Sequence, residues 1–326
     1  MSLQITAIVE RFDVAGKFII ARGAKTYVDV LVVGVSDGGH IGMGESTAIY
    51  YHGETAEKCL GQVMRVAEKL QSLDVMAAKD MAQIVLPCGA ARNALDCALW
   101  DLAAKIAGAP LWQLAGLKCA PLPLVTAFTI SLGQADVMQT DAAKAAAAGY
   151  HLLKIKLTGQ GDRERVAAVH AGARGVRLIA DANESWTAMD VAAEAAALAM
   201  LGVEMIEQPV ARGQDALISG INASLPMIAD ESCQGADDVA KCAPYYDGVN
   251  IKLDKAGGLT EALRIADAAD AAGLKIMVGC MLSTSLGIAP AFIVAQRAHW
   301  TDLDGPALLA QDRAGGFKYA GGMITI

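Results

Sequence analysis

Five short apolar runs between His151 and Lys252 decide the fold: HLLKIKLTG (151–159), RLIADAN (177–183), VEMIEQP (203–209), PMIADES (226–232) and GVNIKLD (248–254). Each ends in charge, at Lys154 and Lys156, Asp181, Glu207, Asp230 and Lys252. From Lys156 the steps between these ends are 25, 26, 23 and 22 residues, about the length of one strand, one helix and two loops in a parallel α/β chain. Three carboxylates and three amines therefore share one end of five successive parallel strands. A closed ring brings such ends together, and a TIM-type barrel keeps its chemistry there.

Further strands are expected on either side of these five, at 124–131, 274–279 and 299–303, separated by alanine-rich helical segments such as Asp141 to Ala148 and Met189 to Leu201. Eight strands and seven helices make a (β/α)7β barrel, and Pro121-Leu122-Pro123 marks its start. Before it, residues 3–11, 26–35 and 40–47 read as an antiparallel meander with a hairpin turn at Ser36-Asp37-Gly38-Gly39 and a glycine-flanked loop, GKFIIARGAK, between the first two strands. Residues 54–72 and 90–107 have helical periodicity; in the second, Ala94, Cys97, Ala98, Trp100, Asp101 and Leu102 alternate apolar and polar faces. A short helix, LWQLAG, follows Gly108-Ala109-Pro110. The expected organisation is an α+β lobe over 1–118, completed by about 306–326, and a barrel over 119–305. The glycine-rich end, GGFKYAGGMITI, is expected to run back to the first lobe.

A chain of 326 residues with 54% hydrophobic and 19% charged residues has a large globular core. Its net charge of -8 argues against a nucleic-acid face, and no apolar run approaches the roughly 18 residues of a membrane span. The N-terminus, MSLQITAIVERFDV, reads as a strand and not as a signal peptide. Seven cysteines with no C-x-x-C pair suggest buried thiols in a reducing cytoplasm. No Gly-x-Gly-x-x-Gly follows a strand, so no dinucleotide cofactor is expected, and the five histidines show no ligand spacing.

Asp181, Glu207 and Asp230 are hard oxygen donors from three adjacent strand ends, a set that suits Mg²⁺. Lys154 and Lys156 share one strand face; if that face is the lumen, like charge and desolvation lower their pKa values toward the range of a base. Lys252 lies four strands from Lys156, on the opposite side of an eight-strand ring, although a salt bridge to Asp230 or Glu231 would also explain it. Asp302 and Asp304 in HWTDLDGP could hold a substrate ammonium or simply form a turn before Gly305-Pro306. Arg22 and Lys25, in the first-lobe loop, could cover the barrel mouth and bind an anion.

With K-x-K, D-x-N, E-Q-P, A-D-E-S and N-I-K-L-D-K-A-G-G in this order, together with ARNALDCALWDLAAK in the first lobe, the whole chain resembles the enolase superfamily, muconate-lactonizing subgroup. DLDGP and FIIARGAK resemble the dipeptide epimerases of that subgroup, especially the L-Ala-D/L-Glu type. Ser185 in DANESW stands where that family often has glycine. The resemblance implies a lobe capping the barrel, Mg²⁺ on Asp181, Glu207 and Asp230, and proton transfer through an ene-diolate. Lys156 and Lys252 would be the acid/bases, serving the L- and D-configured carbon respectively, with Lys154 beside the substrate carboxylate. Asp302 and Asp304 would bind a dipeptide ammonium, Arg22 would bind the glutamyl side-chain carboxylate, Lys25 and Thr129 would line the substrate site, and Asn183 and Glu231 would support the metal ligands and Lys252. It also implies a homo-oligomer. The alternatives are epimerisation of other dipeptides, racemisation of N-acylamino acids, o-succinylbenzoate synthesis, or a non-catalytic metal-binding scaffold.

Overall fold

The computed structural model describes residues 2–20 and 23–325. The first lobe is a meander of β1 (Gln4–Ile20), β2 (Gly23–Ser36) and β3 (Ile41–Thr47), with β2 in the centre and both pairings antiparallel. The turn between β2 and β3 is set by Asp37, whose Oδ1 accepts from the amides of Gly39 at 2.8 Å and His40 at 2.7 Å. The segment expected as a loop, GKFIIARGAK, is largely strand. After an irregularity beyond Asp13, Phe18 pairs with Lys25 and Ile19 with Ala24, so β1 and β2 extend as a two-stranded arm. The β-branched and aromatic residues Phe18 and Ile19 favour that extension despite the flanking glycines.

Three helices cover one side of the meander: α1 (Ala56–Leu70), α2 (Val75–Val85) and α3 (Ala90–Ala107). Thr55 caps α1 through Lys58 N, and Asp74 caps α2 through Met76 N and Ala77 N. Helix α2 was not expected. Helix α3 differs from its amphipathic reading because it is buried on both sides. Leu95, Leu99 and Leu102 pack into the first lobe, whereas Cys97 and Trp100 belong to the barrel core. Its contact with β3 needs glycine: a Cβ on Gly44 would lie 2.1 Å from Ala94 O, and one on Gly42 2.2 Å from Ala98 O. The one-turn α4 (Leu111–Leu114) follows.

The second unit is the expected barrel. Its strands are β5 (Phe128–Ile130), β6 (Leu152–Lys156), β7 (Arg177–Asp181), β8 (Val203–Glu207), β9 (Met227–Ala229), β10 (Gly248–Ile251), β11 (Lys275–Gly279) and β12 (Trp300–Asp302), all parallel and in sequence order. A backbone bond from Ala127 N to Thr301 O, 2.8 Å, closes the ring between the first and last strands. The crossovers carry α5 (Ala135–Ala147), α6 (Asp162–Gly172), α7 (Val191–Met200), α8 (Ala236–Cys242), the pair α9 (Leu253–Ala256) and α10 (Leu259–Ala271), and α11 (Ser285–Val294). The connection from β8 to β9 is not the expected helix. It holds one 3-10 turn, Asp215–Ile218, in a stretch broken by Pro209, Gly213, Gly220 and Pro226.

The strand expected at 124–131 is two. Leu124–Val125, here β4, pairs with β14 (Met323–Thr325), which pairs with β13 (Lys318–Ala320). The last strands therefore lie against the second unit. The segment before them reaches the first lobe, where Ala310 N donates to Asp13 O at 2.8 Å and Arg313 bonds Glu45 at 2.8 Å and Glu10 at 2.6 Å. Among the described residues no helix is long and apolar enough to cross a membrane. All seven cysteines are free, but Cys88 and Cys119 are exposed, against the expectation of buried thiols.

Candidate active site

The barrel lumen is built by the two-residue period of its strands. One layer is apolar: Ala127, Leu152, Ile179, Met205, Ile228, Met277 and Trp300 form a closed cluster. Two residues further along each of these segments stand Thr129, Lys154, Asp181, Glu207, Asp230, Gly279 and Asp302. The same alternation that fills the barrel thus delivers a ring of polar groups to its C-terminal mouth. Strand β10 supplies Asn250, and Lys252 follows directly after it. Gly279 keeps space for that lysine, because a Cβ there would lie 3.0 Å from Lys252 Cε.

The acidic and basic groups interlock. Lys156 Nζ is 2.6 Å from Asp181 Oδ2. Lys154 Nζ is 2.6 Å from Glu207 Oε2, 2.7 Å from Asp302 Oδ2 and 3.4 Å from Asp181 Oδ2. Lys252 Nζ is 2.7 Å from Asp230 Oδ2 and 3.6 Å from Glu207 Oε1. Burial alone would lower the pKa of Lys154, but Asp302, Glu207 and Asp181 outweigh it and hold the ammonium well above its ordinary range. Asp230 and Glu207 do the same for Lys252. The expectation that Lys154 is depressed toward neutrality is overturned: the sequence exposes its like-charged neighbour, not the carboxylates folded against it. Burial, then the charge of Asp181, raises Glu207. Asp230 is held well below the usual carboxylate range, since Lys252 and Lys255 overcome its burial.

Asn183 donates to Asp181 through its backbone amide (2.9 Å) and its side chain (3.1 Å), and it does so from a left-handed backbone with φ 43°. Glu231 lines the cavity beside Asp230. Asp302 and Asp304 both face the cavity; the first is bonded to Lys154 and the second accepts from Thr129 N at 2.8 Å. Burial and the neighbouring Asp302 push the Asp304 carboxyl up to about 7. From the first lobe, Phe18, Lys25, Tyr50 and Tyr51 close the cavity over the barrel mouth. Lys25 Nζ sits 4.7 Å above the Tyr50 ring, and desolvation lowers its pKa. Arg22 lies outside the described residues.

Two buried residues went unread in the sequence. Asn250 Nδ2 donates to Glu207 Oε1 at 2.7 Å. Lys255 bonds Asp230 through both its carboxylate and its carbonyl, and donates to Cys233 O at 3.1 Å. The signal for Lys255 was its place three residues after Lys252, on the turn that follows the strand.

Among the described residues no three acidic, histidine or cysteine groups converge on metal-ligand positions; Asp181, Glu207 and Asp230 each face a lysine ammonium instead. The donor set nevertheless fits a hard divalent cation. Three carboxylates come from adjacent strand ends, and Glu207 Oε2 is buried without a hydrogen bond although Lys154 Nζ is close.

Comparison with known proteins agrees with this fold. Residues 4–116 match the mandelate racemase/muconate lactonizing enzyme N-terminal domain, and residues 137–326 match the enolase C-terminal domain-like family. An L-Ala-D/L-Glu epimerase of Escherichia coli (strain K12) is 41% identical over 95% of both chains. A crystal structure of an Agrobacterium tumefaciens enolase family member with homology to dipeptide epimerases, holding sodium and L-Ala-L-Glu, is 43% identical. It superposes with a TM-score of 0.93, covering 99% of this chain and 97% of that one. A Cytophaga hutchinsonii dipeptide epimerase complexed with Mg and D-Ala-L-Val is 27% identical, with a TM-score of 0.94 over 100% of this chain and 94% of its own.

Proposed function

The chain belongs to the mandelate racemase/muconate lactonizing enzyme family of the enolase superfamily, and from that premise we propose that it is a dipeptide epimerase acting on L-Ala-D/L-Glu. It is an isomerase of amino-acid derivatives. The observation that carries the reading is the placement of Lys156 at the end of β6 and Lys252 directly after β10, four strands apart in an eight-strand ring, with both lining one cavity.

In this reading the lysines address opposite faces of the glutamyl α-carbon. One takes the α-proton as a neutral amine, and the other delivers a proton to the opposite face as an ammonium. The roles exchange with the direction of reaction, so each lysine is base toward one epimer and acid toward the other. Lys154 holds a fixed positive charge beside the substrate carboxylate, where negative charge grows in the transition state. Mg²⁺ is the cofactor, as in the complexed neighbour; Asp181, Glu207 and Asp230 would hold it, and it would supply Lewis-acid charge to the substrate carboxylate. Asn183 and Glu231 keep the acidic ends oriented.

Asp302 and Asp304 bind the dipeptide ammonium, with the Thr129 amide fixing Asp304. Lys25, together with Arg22, binds the glutamyl side-chain carboxylate. Seven free cysteines fit a reducing, cytoplasmic location.

The test is deuterium incorporation at the glutamyl α-carbon in D₂O. L-Ala-L-Glu should exchange and epimerise faster than its N-acetyl derivative, which has no ammonium for Asp302 and Asp304. Faster turnover of the acetylated compound would instead make the protein a racemase of N-acylamino acids.

A further inference from the structure

We propose that Gln208 is a positioning residue that fixes the strand end of Asp230 relative to that of Glu207, and so sets how well the two carboxylates fit a divalent cation. The proposal rests on the metal reading above.

Gln208 follows Glu207 directly and has φ 37°, a left-handed backbone on a non-glycine residue that precedes a proline. Such a conformation is strained and persists only where the surroundings over-determine it. They do so here. The residue has no exposed surface, and its backbone amide donates to Ile228 O at 2.8 Å. Its side-chain Oε1 accepts from the amides of Asp230 (2.8 Å) and Ser232 (3.1 Å). Its Nε2 has two protons to share among Val210 O at 2.8 Å, Ser232 Oγ at 2.9 Å and Tyr246 OH at 2.9 Å.

The orientation of this amide is settled by proton counting. Ser232 Oγ and Tyr246 OH each donate to Asp215 Oδ1, at 2.6 Å. Each hydroxyl has one proton, so toward Gln208 both can only accept. The NH₂ end must face the hydroxyls, which leaves the carbonyl end facing Asp230 N. The Asp215–Ser232–Tyr246 set thus aims an acceptor at the backbone of one acidic strand end from the residue next to another. Asp230 is held at its backbone by Gln208 and at its carboxylate by Lys252 and Lys255. The strand ladder contributes little here, because the β8–β9 register joins only Ile206 with Met227 and Glu207 with Ile228.

The test is Mg²⁺ titration by calorimetry on the full-length protein without substrate, with thermal midpoints recorded alongside. Gln208→Met, which keeps the length and loses every polar contact, is expected to weaken Mg²⁺ binding about 10–100-fold, as loss of a group orienting a metal ligand does elsewhere. Gln208→Glu keeps an acceptor for Asp230 N but no donor for the hydroxyls, and is expected to lose less. A lowered midpoint with unchanged Mg²⁺ affinity in Gln208→Met would make the residue merely structural and overturn the proposal. If that variant does not fold, wild-type affinity in Gln208→Glu overturns it. Failure of the wild-type protein to bind Mg²⁺ would sink the metal reading itself, and is recognisable because it does not depend on the variant.

Discussion

Replacing Lys252 with Ala separates proton exchange from epimerisation, and the structure predicts how far. The fold should tolerate the change. Orphaning a buried charge costs about 3–5 kcal/mol, but no charge is orphaned here: Asp230 keeps Lys255, and Glu207 keeps Lys154 and Asn250. Lys156→Ala is similarly buffered, since Asp181 retains Lys154 at 3.4 Å and two donors from Asn183. Chemistry is affected unequally. Epimerisation needs a base on one face and an acid on the other, so losing either should lower interconversion about 10²–10⁴-fold. Exchange of the α-proton with D₂O needs only one lysine. In Lys252→Ala the epimer whose α-proton faces Lys156 should therefore still exchange, slowed by up to about 10²-fold through the lost positive charge near the developing anion. Lys156→Ala should give the mirror result with the other epimer.

The assay is proton NMR of each pure epimer of Ala-Glu with each variant in D₂O, following loss of the glutamyl α-proton and appearance of the opposite epimer. Near wild-type interconversion by either variant would refute the reasoning, because one lysine would then suffice. Exchange of the same epimer by both variants would refute the opposite-face placement while leaving both residues in the site.

Three further outcomes are expected. Removal of divalent ions with a chelator should abolish both exchange and epimerisation, and added Mg²⁺ should restore them; undiminished activity in the metal-free protein would rule out the assignment of Asp181, Glu207 and Asp230. Lys25→Met should cut the preference for Glu over Leu in the second position about 10–100-fold, the worth of a hydrogen bond to a charged group, read as the ratio of kcat/KM values. Asp96, buried where α3 meets Thr260, is pushed by burial up to about 6 from 3.8; a raised carboxyl favours the proton-bound folded state, so its contribution to stability falls as pH rises from about 4 to about 6. The stability of wild type relative to Asp96→Asn should therefore drop by up to about 3 kcal/mol across that window, measured by urea unfolding at each pH; a flat difference would contradict the shift.

What the sequence made legible follows from where the information lies. A strand pointing into a barrel must alternate, so Leu152-x-Lys154-x-Lys156 and Met205-x-Glu207 betray both the lumen face and its polar end without knowledge of any partner. The fold and the candidate ligands were readable for that reason. Helix α3 was misread because its polar residues look solvated in one dimension. Arg92 in fact donates to the carbonyls of Gly257 and Ala256, at 3.1 Å and 2.6 Å, and Asp96 meets Thr260; those partners are more than 150 residues away. Lys255 hid in the same manner, as a turn lysine whose acceptors are a carboxylate and backbone carbonyls. Gln208 is the extreme case, since the groups that fix it include two amides from another strand end. The sign of the lysine shifts shows the chemical consequence. Two lysines on one strand predict mutual repulsion, but Glu207 from β8 and Asp302 from β12 converge on Lys154, and at 2.6 and 2.7 Å their attraction outweighs a like charge further off. A barrel mouth that sets three adjacent acidic strand ends between basic ones therefore holds Lys154 and Lys252 protonated until something else claims the carboxylates. That makes occupation of Asp181, Glu207 and Asp230 by a cation the step that would free a lysine to act as a base.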